Sequence, residues 1–223
     1  FSGYTDIAIG VALLLGFRFP QNFDNPYSAA TLRDFWRRWH MTLSRWLRDY
    51  LYIPLGGSRR GEAATYRNLM ITMLLGGLWH GAAWTFVFWG ALHGGWLAFE
   101  RWLEQRRAAA GAPDPNPWLG RFVTFHVVCL GWVFFRADSF ETALTMLGRL
   151  ADWGPAPAVT PLVLALVVGS IAVQYIPYGA RLRLREGFAR LSPVGMTAAL
   201  GLFLLALDAL GPEGVAPFIY FQF

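Results

Sequence analysis

Gly76-Gly77-Leu78-Trp79-His80-Gly81 lies near the middle of an apolar stretch that runs from about Leu69 to Phe99. An ionisable side chain at bilayer depth costs at least ~2–3 kcal/mol and is usually kept for a pathway, a partner or a reaction. Imidazole is the side chain best able to exchange protons near neutral pH. A histidine between glycines in such a run therefore points to chemistry at His80. The same residues also fit a helix-packing histidine bonded to a neighbouring carbonyl. The stretch is long for one crossing, and its glycines can divide it into a span plus a re-entrant piece, which is tolerated where protein or a water-filled cavity covers the backbone.

Similar apolar runs lie on both sides, at 1–17, 122–135, 159–176 and 194–210. Several approach the ~20 residues a helix needs to cross a bilayer. The 122–135 run needs Trp118 to Gly120 or other flanking residues to do so. The chain has eleven Trp and eighteen Phe in 223 residues, and amphipathic rings of this kind collect at membrane interfaces. The expected fold class is an all-α integral membrane protein, with residues 1–223 forming one membrane domain. The chain opens on Phe1 inside an apolar segment and shows no signal-peptide pattern. It is read as the C-terminal portion of a longer protein whose N-terminal part is absent.

Polar connections fall at 18–68, 100–121, 136–158 and 179–192, and the Pro-rich pieces 108–117 and 152–161 read as surface connections. All 19 basic residues are arginines, and the formal charge is +5. Beside apolar spans, arginines meet lipid phosphates and set topology, so membrane lipid is the expected partner and nucleic acid is not. They divide too evenly between alternate connections to fix sidedness. Cys129 is the single cysteine, which excludes an internal disulfide and a cysteine metal cluster, and no metal site is expected.

Residues 31–51 have a second pattern. Leu32, Phe35, Trp36, Trp39, Leu43, Trp46, Leu47 and Tyr50 follow the spacing of one helical face, and Arg37, Arg38, Arg45 and Arg48 fall opposite. Thr31 followed by Asp34 resembles a capping-box start. Asp34 with Arg38, and Arg45 with Asp49, are i,i+4 pairs. On a continuous helix His40 falls at the seam between the faces, beside Ser44. The pattern fits a basic amphipathic helix in the headgroup region. It also fits a cationic floor beneath a membrane cavity, suited to an anionic or phosphorylated acyl donor, because the arginine fork matches phosphate. Beyond it, Pro54, Gly56 and Gly57 read as a turn that returns the chain to the membrane.

Taken together, two segments resemble the membrane-bound O-acyltransferase superfamily, and within it the bacterial alginate O-acetylation branch. One is Phe35-Trp36-Arg37-Arg38-Trp39-His40-Met41-Thr42-Leu43-Ser44, continuing through Trp46-Leu47-Arg48-Asp49-Tyr50 to Ile53-Pro54-Leu55-Gly56-Gly57. The other is Leu75-Gly76-Gly77-Leu78-Trp79-His80-Gly81-Ala82-Ala83-Trp84. Phe1-Ser2-Gly3-Tyr4-Thr5-Asp6 and the closing Phe218-Ile219-Tyr220-Phe221-Gln222-Phe223 resemble it too. The resemblance implies the later part of a many-helix bundle around a tunnel, in a bacterial inner membrane. A cytoplasmic acyl donor enters one end and an exported acceptor meets the other.

His80 matches the family's near-invariant histidine. His40 matches a position that is histidine in this branch and often asparagine elsewhere. The resemblance implies catalytic roles for His80 and His40, with Arg37, Arg38, Arg48, Ser44 and Trp79 as substrate-binding candidates. It implies acetyl-CoA as donor substrate, no bound cofactor, and a periplasmic acetyltransferase partner that completes transfer to an exported polysaccharide. D-alanyl or peptidoglycan acyl transfer on the same fold, and a non-catalytic channel or scaffold, are the competing readings.

In the acyltransferase reading His80 is the general base. His40, or backbone donors around Gly77 and Gly81, stabilise the oxyanion. A covalent acyl-histidine intermediate is the less economical route. His93, thirteen positions after His80, falls about 220° around a continuous helix and is read as a packing residue. His126 is read as bonding across helices.

Overall fold

The computed structural model describes residues 1–152, 154 and 159–210, and the segment 218–223 and part of 152–161 lie outside the described residues. Every regular element described is helical. Two compact units divide between Leu166 and Val167.

The first unit opens with α1 (Ser2–Leu14), whose thirteen residues are fewer than a crossing needs. A loop then leads to α2 (Leu32–Arg38). Thr31 caps it as expected, its hydroxyl accepting the Asp34 N–H at 3.1 Å. Arg38 pairs with Asp34 at 2.9 Å, again as expected.

The continuous helix expected over 31–51 is not formed. Trp39 is extended, His40 takes a left-handed conformation at φ 43°, and α3 (Met41–Leu47) starts afresh before a wider π turn at Arg48–Tyr52. The break keeps its hydrogen bonds because the 20–25 loop takes over the freed backbone groups. Asp24 N–H donates to the Arg38 carbonyl and Met41 N–H to the Asn22 carbonyl, both at 2.9 Å. The single apolar face predicted from periodicity is lost with the helix, and Trp46 and Tyr50 are exposed. The expected Arg45–Asp49 pair gives way as the chain leaves α-helical register. Arg48 takes Asp49 at 2.7 Å, while Arg45 donates to the Met41 carbonyl at 3.1 Å.

The turn after it forms as anticipated. Gly56 and Gly57 lie at φ 110° and 56°, conformations that favour glycine. Buried Asn68 pins this turn by donating to the carbonyls of Leu55 and Gly57 at 3.3 and 2.9 Å.

The 69–99 stretch is an antiparallel hairpin of α4 (Glu62–His80) and α5 (Trp84–Ala109), broken at Gly81 to Ala83. Gly77 of α4 faces the Phe86 carbonyl, and Gly90 of α5 faces that of Met73, so the two backbones nearly touch. At the open end Arg101 forms a fork with Glu62 at 2.8 Å on both nitrogens. The expectation of a break is met, but Gly77 is intact helix and contributes close packing, not free backbone donors.

α6 (Pro117–Arg136) spans twenty residues, using the flanking residues the sequence required, and is long and apolar enough to cross a membrane. Gly131 lets α6 close on Trp89 and His93 of α5. α7 (Phe140–Gly148) follows within the expected polar connection. A core of Ala29, Leu32, Phe35 and Val128, with Trp36, Trp39 and Trp132 around it, joins α2 to α5 and α6.

α2 is held at its start by Glu100 of α5, whose carboxylate accepts Leu32 N–H at 2.7 Å, Arg33 N–H at 3.3 Å and Trp96 Nε1–H at 3.1 Å. Glu100→Ala strands these donors and is expected to cost about 1–3 kcal/mol. Limited proteolysis near residue 31 and a lower melting temperature of the extracted protein would report it.

α8 (Pro161–Val173) crosses the unit boundary and is followed by α9 (Tyr178–Ala189) at a bend of 105° and by α10 (Pro193–Leu210). α10 is the second described helix long and apolar enough to cross a membrane, and α8 with α9 counts as a third only if the bent pair is one span.

Candidate functional site

His80 is the last residue of α4, at the tip of the hairpin, where Gly81 ends the helix. A Cβ at Gly81 would lie 2.5 Å from the Phe86 ring, so glycine is what lets the chain turn there. The half-buried imidazole stands in an aromatic box. Ring centres lie at 5.0 Å for Trp79, 6.2 Å for Phe86, 5.5 Å for Trp89 and 4.8 Å for Phe135. Three of these contacts are edge-on, the arrangement the aromatic quadrupole favours.

His40 reaches the same place from α3. Its ring centre is 6.4 Å from Trp79, and it packs edge-on against Phe1 at 4.9 Å. The two histidines, forty residues apart in sequence, thus flank one indole. Asn22 fixes the His40 tautomer. Its side-chain oxygen accepts from His40 Nδ1–H at 3.3 Å, Thr42 N–H at 3.2 Å and the Thr42 hydroxyl at 2.9 Å. The lone pair of His40 is therefore on Nε2. A left-handed non-glycine residue costs of order 1–3 kcal/mol and persists where the surroundings over-determine it, which is common at functional sites.

Burial lowers the His40 pKa from 6.5 to about 4, so the ring is neutral at pH 7. The unfolded ring takes up a proton near pH 6.5 and the folded ring only near 4. The stability that His40 permits is thus fully present above about pH 6.5 and is lost as pH falls toward 4. Melting temperatures between pH 7.5 and 5 should fall, and less steeply in His40→Asn.

Next to His40, on the side of Met41, residues of α2, α3, α4 and α5 line an open cavity of about 440 Å³. Arg33, Arg37, Arg45 and Arg48 lie on it, with Ser44, Tyr52, Trp36, Leu69, Met73 and Leu97 completing the wall. Arg37, Arg48 and Ser44 are therefore brought together as the sequence suggested, although not by one helical face. The Ser44 hydroxyl donates to the Trp39 carbonyl at 3.1 Å and braces the helix break. Arg38 is engaged with Asp34 and does not line the cavity. Trp79 is 56% exposed and lies between the histidines, outside that lining.

Because the hairpin interrupts the helix between His80 and Trp84, the angle between His80 and His93 on a continuous helix does not apply, and His93 is found packed and fully buried in α5. Among the described residues no hydrogen bond takes His126 across to another helix. Its exposed ring donates to the Phe122 carbonyl of its own helix at 2.7 Å. Asn22, Trp89 and Phe135 were not singled out from sequence.

These two histidines stand within the part of the chain that defines its class. The membrane-bound O-acyltransferase (MBOAT) family model matches residues 1–136, and the chain belongs to that family. Its relatives include the probable alginate O-acetylase AlgI of Pseudomonas putida, 41% identical over 253 aligned residues that cover 100% of this chain and 50% of that protein. The probable alginate O-acetylase AlgI of Pseudomonas aeruginosa is 53% identical over 154 residues, 69% of this chain and 29% of that protein. The peptidoglycan O-acetyltransferase of Helicobacter pylori is 50% identical over 149 residues, 66% of this chain and 28% of that protein. The chain spans half or less of the length of these relatives.

Proposed function

We propose that this chain carries the acyl-transfer site of a multi-pass bacterial inner-membrane O-acyltransferase, as the C-terminal portion of one membrane domain. The reaction moves acetyl groups from a cytoplasmic thioester toward an exported, alginate-like polysaccharide. The observation that carries the reading is the meeting of His80 and His40 around Trp79, next to an arginine-lined cavity. A channel or scaffold has no need for that convergence.

In this reading the acceptor hydroxyl attacks the thioester carbonyl while His80 removes its proton. The tetrahedral intermediate then expels the thiolate, which receives that proton back from His80, so charge and atoms balance. Such a base contributes typically ~10²–10⁴-fold. With its proton on Nδ1, His40 presents an acceptor at Nε2, which suits orienting the hydroxyl and not donating to an oxyanion. The Trp84 and Thr85 amides that open α5, ahead of the Phe86 N–H that donates to the Ala83 carbonyl, are the oxyanion donors in its place. Arg37 and Arg48 bind the donor's phosphates, with acetyl-CoA as the donor substrate. A periplasmic acetyltransferase partner completes delivery to the polysaccharide.

Peptidoglycan is the second acceptor to test, because the Helicobacter pylori relative is 50% identical across two thirds of this chain. The test supplies labelled acetyl-CoA, or an acyl group on a carrier protein, to membranes holding the full-length protein. Transfer from acetyl-CoA, with its KM raised about tenfold or more in Arg37→Ala/Arg48→Ala at little cost in kcat, supports the reading. Transfer from the carrier alone moves the assignment to D-alanyl-type chemistry.

A further inference from the structure

His93 belongs to none of the groups described so far, and it is one of the most deeply buried polar side chains in the hairpin. Its Nδ1 accepts from Trp36 Nε1–H at 3.1 Å, a bond that crosses from α2 to α5. This places the ring proton on Nε2. Nε2 has no hydrogen-bond partner among the described residues and is pressed against Gly131 of α6, where a Cβ would stand 2.7 Å away. A buried donor left unsatisfied costs about 1–3 kcal/mol. The Trp36 bond and the Gly131 contact together fix the plane of the ring.

That plane stacks on Trp89, with ring centres 4.6 Å apart and an angle of 30°. Trp89 in turn stands edge-on to His80 at 5.5 Å and to Phe135 at 5.6 Å, and Phe135 is itself edge-on to His80 at 4.8 Å. Trp89 and Phe135, two walls of the His80 box, thus pack on each other, and the Trp89 indole is stacked on His93 and met edge-on by Trp36 at 5.6 Å. At the far end, Trp36 lines the arginine-bearing cavity.

We infer that His93 is a positioning residue for His80, holding the Trp89 wall of its box in a plane fixed by the Trp36–His93 bond. The inference rests on the proposed role of His80. His93 touches no reacting atom in this scheme. Its replacement misorients the base, so it lowers turnover while leaving donor binding alone.

The test uses the full-length protein in membranes, with acetyl transfer from acetyl-CoA as the readout. His93→Asn keeps an acceptor for Trp36 but removes the ring stacked on Trp89. At matched membrane levels it should lower kcat roughly 10- to 100-fold with KM for acetyl-CoA almost unchanged. Because His93 acts through His80, adding His93→Asn to His80→Ala should lower the residual rate no further. If His93→Asn does not accumulate, Trp36→Phe decides, since it deletes the hydrogen bond and keeps an aromatic ring. Its kcat should drop about threefold or more.

An unchanged kcat in the variant that accumulates overturns the inference. So does a fall in rate that multiplies with His80→Ala. Undiminished transfer in His80→Ala itself would overturn the reading of His80 and this inference with it. Loss in His80→Ala without the His93 effects overturns only the inference.

Discussion

Valine at Gly77 is expected to prevent the protein from accumulating in the membrane. A Cβ there would overlap the Phe86 carbonyl oxygen and lie 3.1 Å from its carbon, and these are backbone atoms that no rotamer change can move. Gly90 stands in the same relation to Met73 across the hairpin. The helices must separate to admit the side chain, losing the contacts that hold α4 on α5. Overpacking of this kind costs typically about 1–3 kcal/mol, and the branched methyls raise the cost. Gly95→Ala is the control, because its Cβ would meet only the flexible end of Met70 at 3.8 Å. Quantifying the membrane-inserted protein, and the melting temperature of what is extracted, should separate the two variants clearly.

His80→Ala is expected to leave the protein folded and to remove transfer. The imidazole is half buried at the hairpin tip, so its loss opens a small space among four aromatic rings and leaves the backbone crossing untouched. The chemical cost is much larger. A base that acts only in the transition state contributes ~10²–10⁴-fold, and its removal lowers kcat and kcat/KM together. Steady-state rates over a range of acetyl-CoA should therefore show kcat reduced by that factor with KM little changed. His40→Asn, which can replace the Nδ1 hydrogen bond to Asn22 but not the Nε2 lone pair, should fall between wild type and His80→Ala.

The sequence was most readable where chemistry and local pattern coincide. An imidazole between glycines in an apolar run identified His80 as a candidate, Thr31 and Asp34 marked the start of α2, and Pro54 with Gly56 and Gly57 marked the turn. Periodicity misled over 31–51. The residues of that stretch follow helical spacing throughout, and nothing in them reports that a loop around Asn22 supplies the hydrogen bonds for a break at Trp39 and His40. The break brings His40 to Trp79, so the juxtaposition of the two histidines was reached through family resemblance and not through the helical wheel.

The hairpin had a signal that periodicity counts pass over. Gly90-Ala91-Leu92-His93-Gly94 has the small-residue spacing that lets membrane helices approach closely, and both glycines meet α4. Trp89 and Phe135 carry no charge, and their approach to His80 is purely tertiary.

The most direct test of the central claim is a single-turnover measurement of labelled acetyl groups. Acetyl-CoA is given to the cytoplasmic face of sealed membranes that contain full-length wild-type protein or His80→Ala at equal levels. Label passing to the polysaccharide or its periplasmic partner in wild type, and absent in His80→Ala, is the predicted result. Equal label in both would contradict a site built on His80.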